Sequence, residues 1–370
     1  MSKFKKYLVF SLILALLNTI ILVKFFVPRF DHTDTYQYAS TIDYVVGKPD
    51  SKLVIPRMLK PMPILIGAAL SPLFNAKDSL VAQNVMFYLA SVLLVYLLIY
   101  RLYKKEKQAF YGTVLYSFAY PMLAYGLAAL TDISGWFFYF LMILMSLNFL
   151  KKPNIKTACL IGLVSSFGML FKENMAVAPL FFMNLVLIAM KIPFKEKLKY
   201  IFFFGISFLV FPVINSIVMF KLYAYSYWDW FRAGGASSKG GTGFYAISIL
   251  RVLIETGRVM IIGWLFVLFG IFKEMVEKNA ERIKILFSLI APSLAVYVFW
   301  SYPHNRMIFI AAPLLIALAS FGIMGSYEVK KVNTLQELSL IAVYVLTNYA
   351  ILEFLLRYGT RIQPPGTLFG

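Results

Sequence analysis

Two carboxylates, Asp31 and Asp34, lie close together in the polar segment Phe30–Tyr38, directly after the first apolar stretch of the chain. Carboxylates are scarce here, because only 17 of the 370 residues are acidic. A carboxylate within hydrogen-bond reach of a hydroxyl can take its proton as the hydroxyl attacks. We interpret Asp34 as a candidate general base, with Asp31 as the alternative. The competing interpretation is an exposed acidic helix cap.

Aromatic side chains follow these carboxylates. Tyr36 and Tyr38 offer flat faces of the kind that bind sugar rings, although tyrosine also suits a membrane interface. Together with the carboxylates they indicate chemistry on a hydroxyl-rich substrate. His32 lies beside Asp31, so a histidine–carboxylate metal site is conceivable, but the ligand spacing typical of such a site is missing.

Several cations could hold a phosphate group. Arg57 and Lys60 lie within the short Pro-Arg-x-x-x-Pro segment Pro56–Pro61, and arginine has the better geometry for binding phosphate oxygens in pairs. Snorkelling toward lipid headgroups is the alternative, more so for Lys60. Arg258 is a further candidate, and it shares one face of a predicted amphipathic helix with Arg251 and Glu255.

Charged residues also stand at the ends of later apolar stretches. Asp132 opens the fourth stretch after Thr131, where it could be a helix cap or could share a site with Asp34. The pair Lys172–Glu173 closes the fifth stretch. Ionisable residues at membrane depth usually face the bundle interior, so the pair could be functional, or it could be a self-neutralising turn between two spans.

A compact cluster of donors, His304-Asn305-Arg306, opens the tenth apolar stretch. His304 is one of only two histidines in the chain. A metal site involving it has little support from ligand spacing. The cluster is better suited to bind an anionic or hydroxyl-bearing substrate.

The composition sets the class of protein that must position these residues. Hydrophobic residues make up 61% of the chain and charged residues only 14%. The apolar runs are continuous and about twenty residues long, which predicts membrane-spanning helices and excludes a barrel of alternating strands. The net charge of +19 is distributed over short loops, so nucleic-acid binding is excluded.

We predict an all-α polytopic membrane protein with about eleven transmembrane helices and short helices at the outer face. The predicted spans are 7–27, 80–100, 109–129, 132–150, 156–171, 174–191, 199–221, 257–273, 284–301, 306–325 and 336–356. Every second connection is short and rich in lysine, which places the N-terminus in the cytoplasm. The candidate residues then lie on the outer face.

The two long connections, 28–79 and 222–256, both fall on that outer face. The apolar segment Pro61–Phe74 is too short to cross a bilayer and predicts a helix along its surface. The segment Gly234–Gly243 is rich in glycine and serine. It predicts a mobile loop, with a lid over the substrate as the alternative.

The order of these motifs resembles the GT-C superfamily of polytopic glycosyltransferases, in the branch of protein O-mannosyltransferases and lipid A aminoarabinose transferases. The motifs are Asp34-x-Tyr36-x-Tyr38, Gly47, the segment Pro56–Pro61, Thr131-Asp132, Lys172-Glu173, and Asn305-Arg306 with Pro313. The resemblance is best over residues 1–200. It implies a GT-C-like module at 1–221, with its outer loop at 28–79, and a variable helical part at 222–370.

The resemblance implies a membrane enzyme that takes a hexose or pentose from a polyprenyl-phosphate carrier and inverts its configuration. Asp34 then matches the first-loop acidic residue, a base or metal ligand, and Asp132 matches the residue facing it. Lys172 and Arg306 would contact the carrier phosphate, with Arg57 and Arg258 as further contacts. Tyr36, Tyr38, Asp132, Glu173 and His304 would line the substrate. Asp34 and Asp132 are also candidate ligands for a divalent metal, Mg²⁺ or Mn²⁺.

These inferences predict a multi-pass protein of the plasma (inner) membrane whose partners are a polyprenyl-phosphate sugar and a glycan, lipid or protein acceptor. Two alternatives remain open. A flippase or transporter of a lipid-linked sugar would share the phosphate site but would need it near the bilayer midplane. A polymerase or ligase of surface polysaccharide would use outer-loop arginines in a similar topology.

Overall fold

The computed structural model describes residues 3–30, 32–230, 232, 249–299, 303–329 and 334–362. Within these ranges every regular element is a helix and no strand occurs. The all-α prediction is confirmed. Helices suit such apolar sequences because each one satisfies its own backbone hydrogen bonds. Asp31 and the predicted loop Gly234–Gly243 lie outside the described residues.

The N-terminal part begins with helix α1 (Lys3–Ile21), which continues through a π-helical turn, Leu22–Phe26, and a 3₁₀ turn, Val27–Arg29. Next come α2 (Thr33–Val45), the one-turn α3 (Ile55–Met58) and α4 (Pro61–Leu70). Because α4 has only ten residues, it is too short to cross a bilayer, as the sequence predicts for this segment.

The middle of the chain forms six helices: α5 (Ala76–Tyr103), α6 (Glu106–Ser117), α7 (Asp132–Phe149), α8 (Ile155–Met169), α9 (Ala178–Ala189) and α10 (Phe194–Tyr223). A π-helical turn, Met122–Gly126, separates α6 from α7. A 3₁₀ turn, Glu173–Val177, leads into α9.

The C-terminal part contains α11 (Ile249–Met260), α12 (Gly263–Glu277), α13 (Ala280–Ser288), α14 (Ile290–Phe299), α15 (Asn305–Ile308), α16 (Ala312–Val329) and α17 (Thr334–Ile362). A 3₁₀ turn, Phe309–Ala311, joins α15 to α16. Helices α11 and α12 meet at a bend of 82°.

Among the described residues, six helices are long and apolar enough to cross a membrane, or seven if α11 and α12 form one bent span. The predicted count of about eleven spans is therefore not confirmed. The remaining predicted spans fall on short or interrupted helices, namely α6, α8, α9 and the pair α13–α14. Hydropathy measures how apolar a stretch is but does not show where a helix breaks.

Glycines allow two pairs of helices to pack at backbone contact. A Cβ at Gly270 in α12 would collide with the carbonyl of Leu318 in α16, and one at Gly322 would collide with the carbonyl of Phe266. A Cβ at Gly162 in α8 would lie 2.8 Å from Cβ of Ser207 in α10. Small residues have this role in membrane proteins, where close packing rather than the hydrophobic effect holds helices together.

The loop after α1 folds back over one end of the bundle. His32 caps α2, and its Nδ1 accepts a hydrogen bond from the backbone N–H of Asp34 at 3.1 Å. The Thr35 hydroxyl donates to the carbonyl of Ala129 at 3.1 Å. Helix α2 packs against α4 and α5. These contacts fix Asp34 close to the N-terminus of α7.

Candidate active site

One end of the bundle collects charged side chains from five separate parts of the chain. Asp34 lies in the first turn of α2, and Asp132 is the first residue of α7. Arg306 lies in α15. We call the full set the charge ring: Arg57, Asp34, Arg306, Asp132, Lys172, Glu173 and Lys60, in the order of their contacts.

The first part of the charge ring is centred on Asp34. Its Oδ1 accepts a hydrogen bond from Arg57, and its Oδ2 lies 3.2 Å from Nη2 of Arg306. Arg57 Nε also donates to Gln37 Oε1 at 2.8 Å, and its guanidinium lies 5.0 Å from the centre of the Tyr38 ring. Both oxygens of the Asp34 carboxylate are therefore held by guanidinium groups.

The second part of the charge ring runs deeper into the protein. Arg306 Nη1 lies 3.8 Å from Asp132 Oδ2, and Lys172 Nζ lies 3.1 Å from Asp132 Oδ1. Glu173 is 4.0 Å from Lys172 and 3.0 Å from the Nζ of Lys60. Each carboxylate thus lies between two cations.

The backbone closes the ring, because the N–H of Lys60 donates to the carbonyl of Arg57 at 2.9 Å. The signs of charge alternate around the seven side chains, with four cations and three carboxylates. Burying a charge without a partner is costly, and the alternation offsets that cost. One positive charge is left over, so the ring favours binding of an anion.

Exposure differs between the two parts of the charge ring. The side chains of Asp34, Arg57 and Arg306 are 18%, 15% and 12% exposed. The other four members are each at most 9% exposed, and Asp132 is fully buried. A ligand from solution or from the membrane can therefore reach only the side formed by Arg57, Asp34 and Arg306, which we call the open side.

The electrostatics of the open side follow from its arginines. Burial by itself would raise the pKa of Asp34, but the charges of Arg57 and Arg306 outweigh it and hold that pKa well below its usual range. Burial lowers the pKa of His32, and the nearby Arg306 lowers it further. At neutral pH the carboxylate is charged and the imidazole is neutral.

Thr131 and Asp132 do not form the helix cap that local sequence allows. No side-chain hydrogen bond from Thr131 caps α7. Its hydroxyl instead lies 3.3 Å from the hydroxyl of Tyr38, and the Asp132 carboxylate pairs with Lys172 and Arg306. Thr131 therefore connects α7 to α2, and Asp132 connects α7 to α15 and to the turn after α8.

A second polar cluster lies next to Arg306. Glu255 in α11 is buried, and its Oε2 accepts hydrogen bonds from Asn305 Nδ2 at 2.6 Å and from the Asn305 backbone at 3.2 Å. Arg258 donates to Glu255 Oε1 at 2.9 Å.

His304 lies at the edge of this cluster. Its Nε2 is 3.9 Å from Oε2 of Glu255, and its ring meets that of Tyr125 edge to face. Burial lowers the pKa of His304 well below its usual value.

Not every candidate residue joins the charge ring. Tyr38 packs under Arg57, but Tyr36 is 59% exposed. Arg258 and His304 belong to the neighbouring Glu255 cluster. Three participants received little or no weight from the sequence: Lys60, Gln37 and Glu255. The sequence offers a helix face that Glu255 shares with Arg258, and it offers Lys60 as a cation beside Arg57, but Gln37 carries no local signal.

The charge ring does not fit a divalent metal. Within the described ranges, no group of three or more His, Cys, Asp or Glu side chains could hold a metal ion. Asp34 and Asp132, the two candidate ligands, are instead spanned by the guanidinium of Arg306. Mg²⁺ and Mn²⁺ need several oxygen ligands around one point, and these two carboxylates are already neutralised by cations.

Comparison with known families gives one match within the chain. Residues 60–215 match the family model described as dolichyl-phosphate-mannose-protein mannosyltransferase. The match includes the deep members of the charge ring, Lys60, Asp132, Lys172 and Glu173, whereas the open side lies outside it. A search of curated protein sequences finds no match.

Solved structures extend the likeness to nearly the whole chain. The structure of the oligosaccharyltransferase AglB from Archaeoglobus fulgidus, in complex with an inhibitory peptide and a dolichol-phosphate, has a TM-score of 0.60 at 12% identity. The matched region covers 95% of this chain and 56% of the AglB chain. The A. fulgidus oligosaccharyltransferase tethered to an acceptor peptide with the NVT sequon has a TM-score of 0.58 at 12% identity, with coverage of 95% and 55%.

The chain therefore spans about half the length of these solved structures. At this level of identity the likeness shows the fold. The predicted resemblance to GT-C glycosyltransferases is confirmed at that level, by the family match and by the shared architecture. The chain is a multi-pass membrane protein with the GT-C glycosyltransferase fold.

Proposed function

We propose that this protein transfers a sugar from a polyprenyl-phosphate carrier to an acceptor hydroxyl on the non-cytoplasmic face of the membrane. The observation that carries the proposal is the charge ring, with its surplus positive charge and its open side of two arginines around one carboxylate. That arrangement offers an anion site and a proton acceptor within one pocket. The lysine-rich connections at the opposite ends of the helices support the outward orientation.

In this proposal, Arg57 and Arg306 bind the phosphate of the carrier. A sugar attached through a phosphodiester carries one negative charge, and the carrier gains a second when the bond to the sugar breaks. Guanidinium groups that are fixed before the reaction stabilise this developing charge with little reorganisation. Tyr38 and Gln37 hold Arg57 in place, and Asp132 holds Arg306.

Asp34 acts as the general base once the donor is bound. In the unliganded protein its two oxygens are held by arginines, which keeps its pKa low and makes it a weak base. A phosphate that draws Arg57 and Arg306 toward itself would weaken those contacts and raise the basicity of Asp34. The carboxylate then accepts the proton of the attacking hydroxyl. A single displacement of the lipid phosphate inverts the sugar, because no protein nucleophile is required.

The deep members of the charge ring have a supporting role in this mechanism. Lys172 is buried between Asp132 and Glu173, so it acts on the phosphate through its charge and through the position of Asp132. Glu173 keeps Lys60 and Lys172 together. Arg258 and His304 remain candidates for contacts at the edge of the donor site, next to α11 and α15.

The names of the similar proteins support the choice of donor. The matching family is described by a dolichyl-phosphate-mannose donor, and the AglB structure contains a dolichol-phosphate. A flippase of lipid-linked sugars would need its charged site near the middle of the spans. Here the charges gather at the ends of helices, at the start of α7 and after α8. This position favours transfer over transport.

The direct test is to incubate the purified protein with a panel of polyprenyl-phosphate sugars and acceptors and to follow release of free polyprenyl phosphate. Asp34→Asn should slow release by about 10² to 10⁴ fold, the usual contribution of a general base. Asp43→Asn is the matched control, because Asp43 lies on the same helix and pairs with Lys48 at 2.8 Å, outside the charge ring. It should keep normal activity.

Two results would count against the proposal. Normal turnover by both Asp34→Asn and Asp31→Asn would remove the assigned base. Movement of intact lipid-linked sugar across vesicles without any release of polyprenyl phosphate would identify a flippase instead.

A further inference from the structure

Glu255 is a buried carboxylate that the proposed reaction does not use. Its side chain is 2% exposed, and it lies on α11, fifty residues before its partner Asn305 in the chain. Three hydrogen bonds satisfy it: two from Asn305, at 2.6 and 3.2 Å, and one from Arg258, at 2.9 Å. Such a buried carboxylate is stable only with donors of this kind.

The two bonds from Asn305 hold the first residue of α15 by both its backbone and its side chain. The next residue is Arg306, the cation that joins Asp34 to Asp132 in the charge ring. The α15 helix is only four residues long, so its own hydrogen bonds provide little rigidity. The direction of the Arg306 side chain therefore depends on how firmly the start of α15 is held.

Helix α11 packs mainly against α15, and two hydrogen bonds besides those of Glu255 also hold it. The hydroxyl of Thr256 lies 2.9 Å from that of Tyr297 in α14, and Trp264 Nε1 donates to the carbonyl of Thr256 at 3.2 Å. Both contacts are made by Thr256, the residue next to Glu255, and they help to hold α11 in place. The bonds of Glu255 to Asn305 therefore join α11 directly to the first residue of α15.

We propose that Glu255 is a positioning residue, which places the guanidinium of Arg306 at the open side of the charge ring where it meets the donor phosphate. The inference rests on the proposed function for the identity of that phosphate. Glu255 acts only through Asn305 and Arg306 and does not touch the substrate. Precise placement matters because ion pairs of 3.2 and 3.8 Å are lost when a side chain moves by about 1 Å.

The experiment measures binding of undecaprenyl phosphate to the full-length protein in detergent, together with thermal unfolding. Glu255→Gln keeps the shape of the side chain but turns a donor toward the donors of Asn305 and Arg258. We expect undecaprenyl phosphate to bind about tenfold more weakly. Thr256→Ser, at the adjacent residue on α11, keeps the hydroxyl that contacts Tyr297 and should bind the phosphate as the wild type does.

A double-mutant cycle separates positioning from direct binding. If Glu255 acts through Arg306, then Glu255→Gln should change phosphate binding by less than twofold in an Arg306→Gln background. A full tenfold effect in that background would overturn the inference. Asn305→Ala, which removes the side-chain bond from the other partner, should weaken binding in the same direction and decides the matter if Glu255→Gln does not fold.

A structural readout keeps this inference distinct from the proposed function. An experimental structure of Glu255→Gln or Asn305→Ala should show the Arg306 guanidinium beyond 4 Å from Asp34. If the wild type fails to bind undecaprenyl phosphate while Arg306 moves in the variants, the proposed donor is wrong and the positioning role stands. If Arg306 keeps its 3.2 Å contact in both variants, the positioning role is wrong whatever the ligand.

Discussion

Arg306 and Arg57 each contact two different groups at the open side. Arg306 reaches Asp34 and Asp132, and Arg57 reaches Asp34 and Gln37. A guanidinium can do this because its donors point in several fixed directions, whereas a lysine ammonium is a compact charge on a flexible stem. The choice of arginine at these two positions is therefore a matter of geometry as much as of charge.

We expect Arg57→Lys to lower kcat/KM for the polyprenyl-phosphate donor by roughly tenfold to a hundredfold, since the charge remains but the paired geometry is lost. Steady-state release of polyprenyl phosphate would measure this. Arg29→Lys is the control, because Arg29 also makes a paired contact, with Glu353, but lies outside the charge ring. Equal kinetics for Arg57→Lys and the wild type would contradict the role of Arg57.

The two histidines predict how stability depends on pH. Burial, followed by the charge of Arg306, lowers the pKa of both His32 and His304 below about 6.5. A group with a lowered pKa contributes stability above its unfolded pKa, and that stability is lost as the pH falls through its folded pKa. The melting temperature should therefore decrease between pH 7 and pH 5.

The double variant His32→Asn/His304→Asn should show a smaller decrease over the same range. Asparagine keeps a side-chain acceptor for the helix N-terminus but does not titrate. Differential scanning fluorimetry in detergent would compare the two proteins. An identical pH dependence would assign the effect to other groups.

At the scale of elements, the turn after α8 must approach α7 closely for Lys172 to reach Asp132. Gly135 in α7 makes this approach feasible. A Cβ there would lie 2.8 Å from Cβ of Lys172 and would also collide with the amide of Asn174. A glycine weakens a helix, but Trp136 and Ile133 are buried in the core and hold this part of α7 in place by packing.

Gly135→Ala should therefore displace Lys172 from Asp132 and destabilise the protein by about 1–3 kcal/mol, as overpacking does. The melting temperature and the rate of donor turnover would both decrease. Gly205→Ala in α10 is the matched control, because a Cβ at Gly205 has no atom within 4 Å. Similar melting temperatures for Gly135→Ala and Gly205→Ala would refute the packing argument.

At the scale of the whole molecule, the charge ring joins α2, α3, the N-cap of α4, α7, α15 and the turn after α8 into one electrostatic unit. Removing one member of a buried ion pair leaves its partners uncompensated, which is far costlier than losing an exposed pair. Glu173 is the strongest case, because it lies between Lys60 and Lys172 and all three are buried.

We expect Glu173→Gln to destabilise the protein by about 3–5 kcal/mol in reversible unfolding measurements. The double variant Lys60→Met/Glu173→Met should recover much of that loss, since neither charge is then left alone. Glu353→Gln, which breaks the more exposed pairs with Arg29 and Arg357, should cost far less than Glu173→Gln. A loss after Glu173→Gln no larger than that of Glu353→Gln would show that the ring is not a coupled unit.

The sequence by itself determined the class of the protein and most of its candidate charges. Continuous apolar runs and lysine-rich connections are local features, so they indicate membrane helices without any knowledge of packing. Scarce carboxylates at the ends of those runs, such as Asp34 and Asp132, stand out for the same reason. The number of spans did not follow, because hydropathy does not reveal breaks such as the one between α13 and α14.

Only the tertiary structure decided which charges meet. Asp34 and Arg306 are 272 residues apart in the chain, and no local pattern states that they form an ion pair. The same holds for Lys60 with Glu173 and for Glu255 with Asn305. A buried charge must find a partner of opposite sign wherever the fold supplies one, so pairing is set by the packing of distant helices and not by neighbours in sequence.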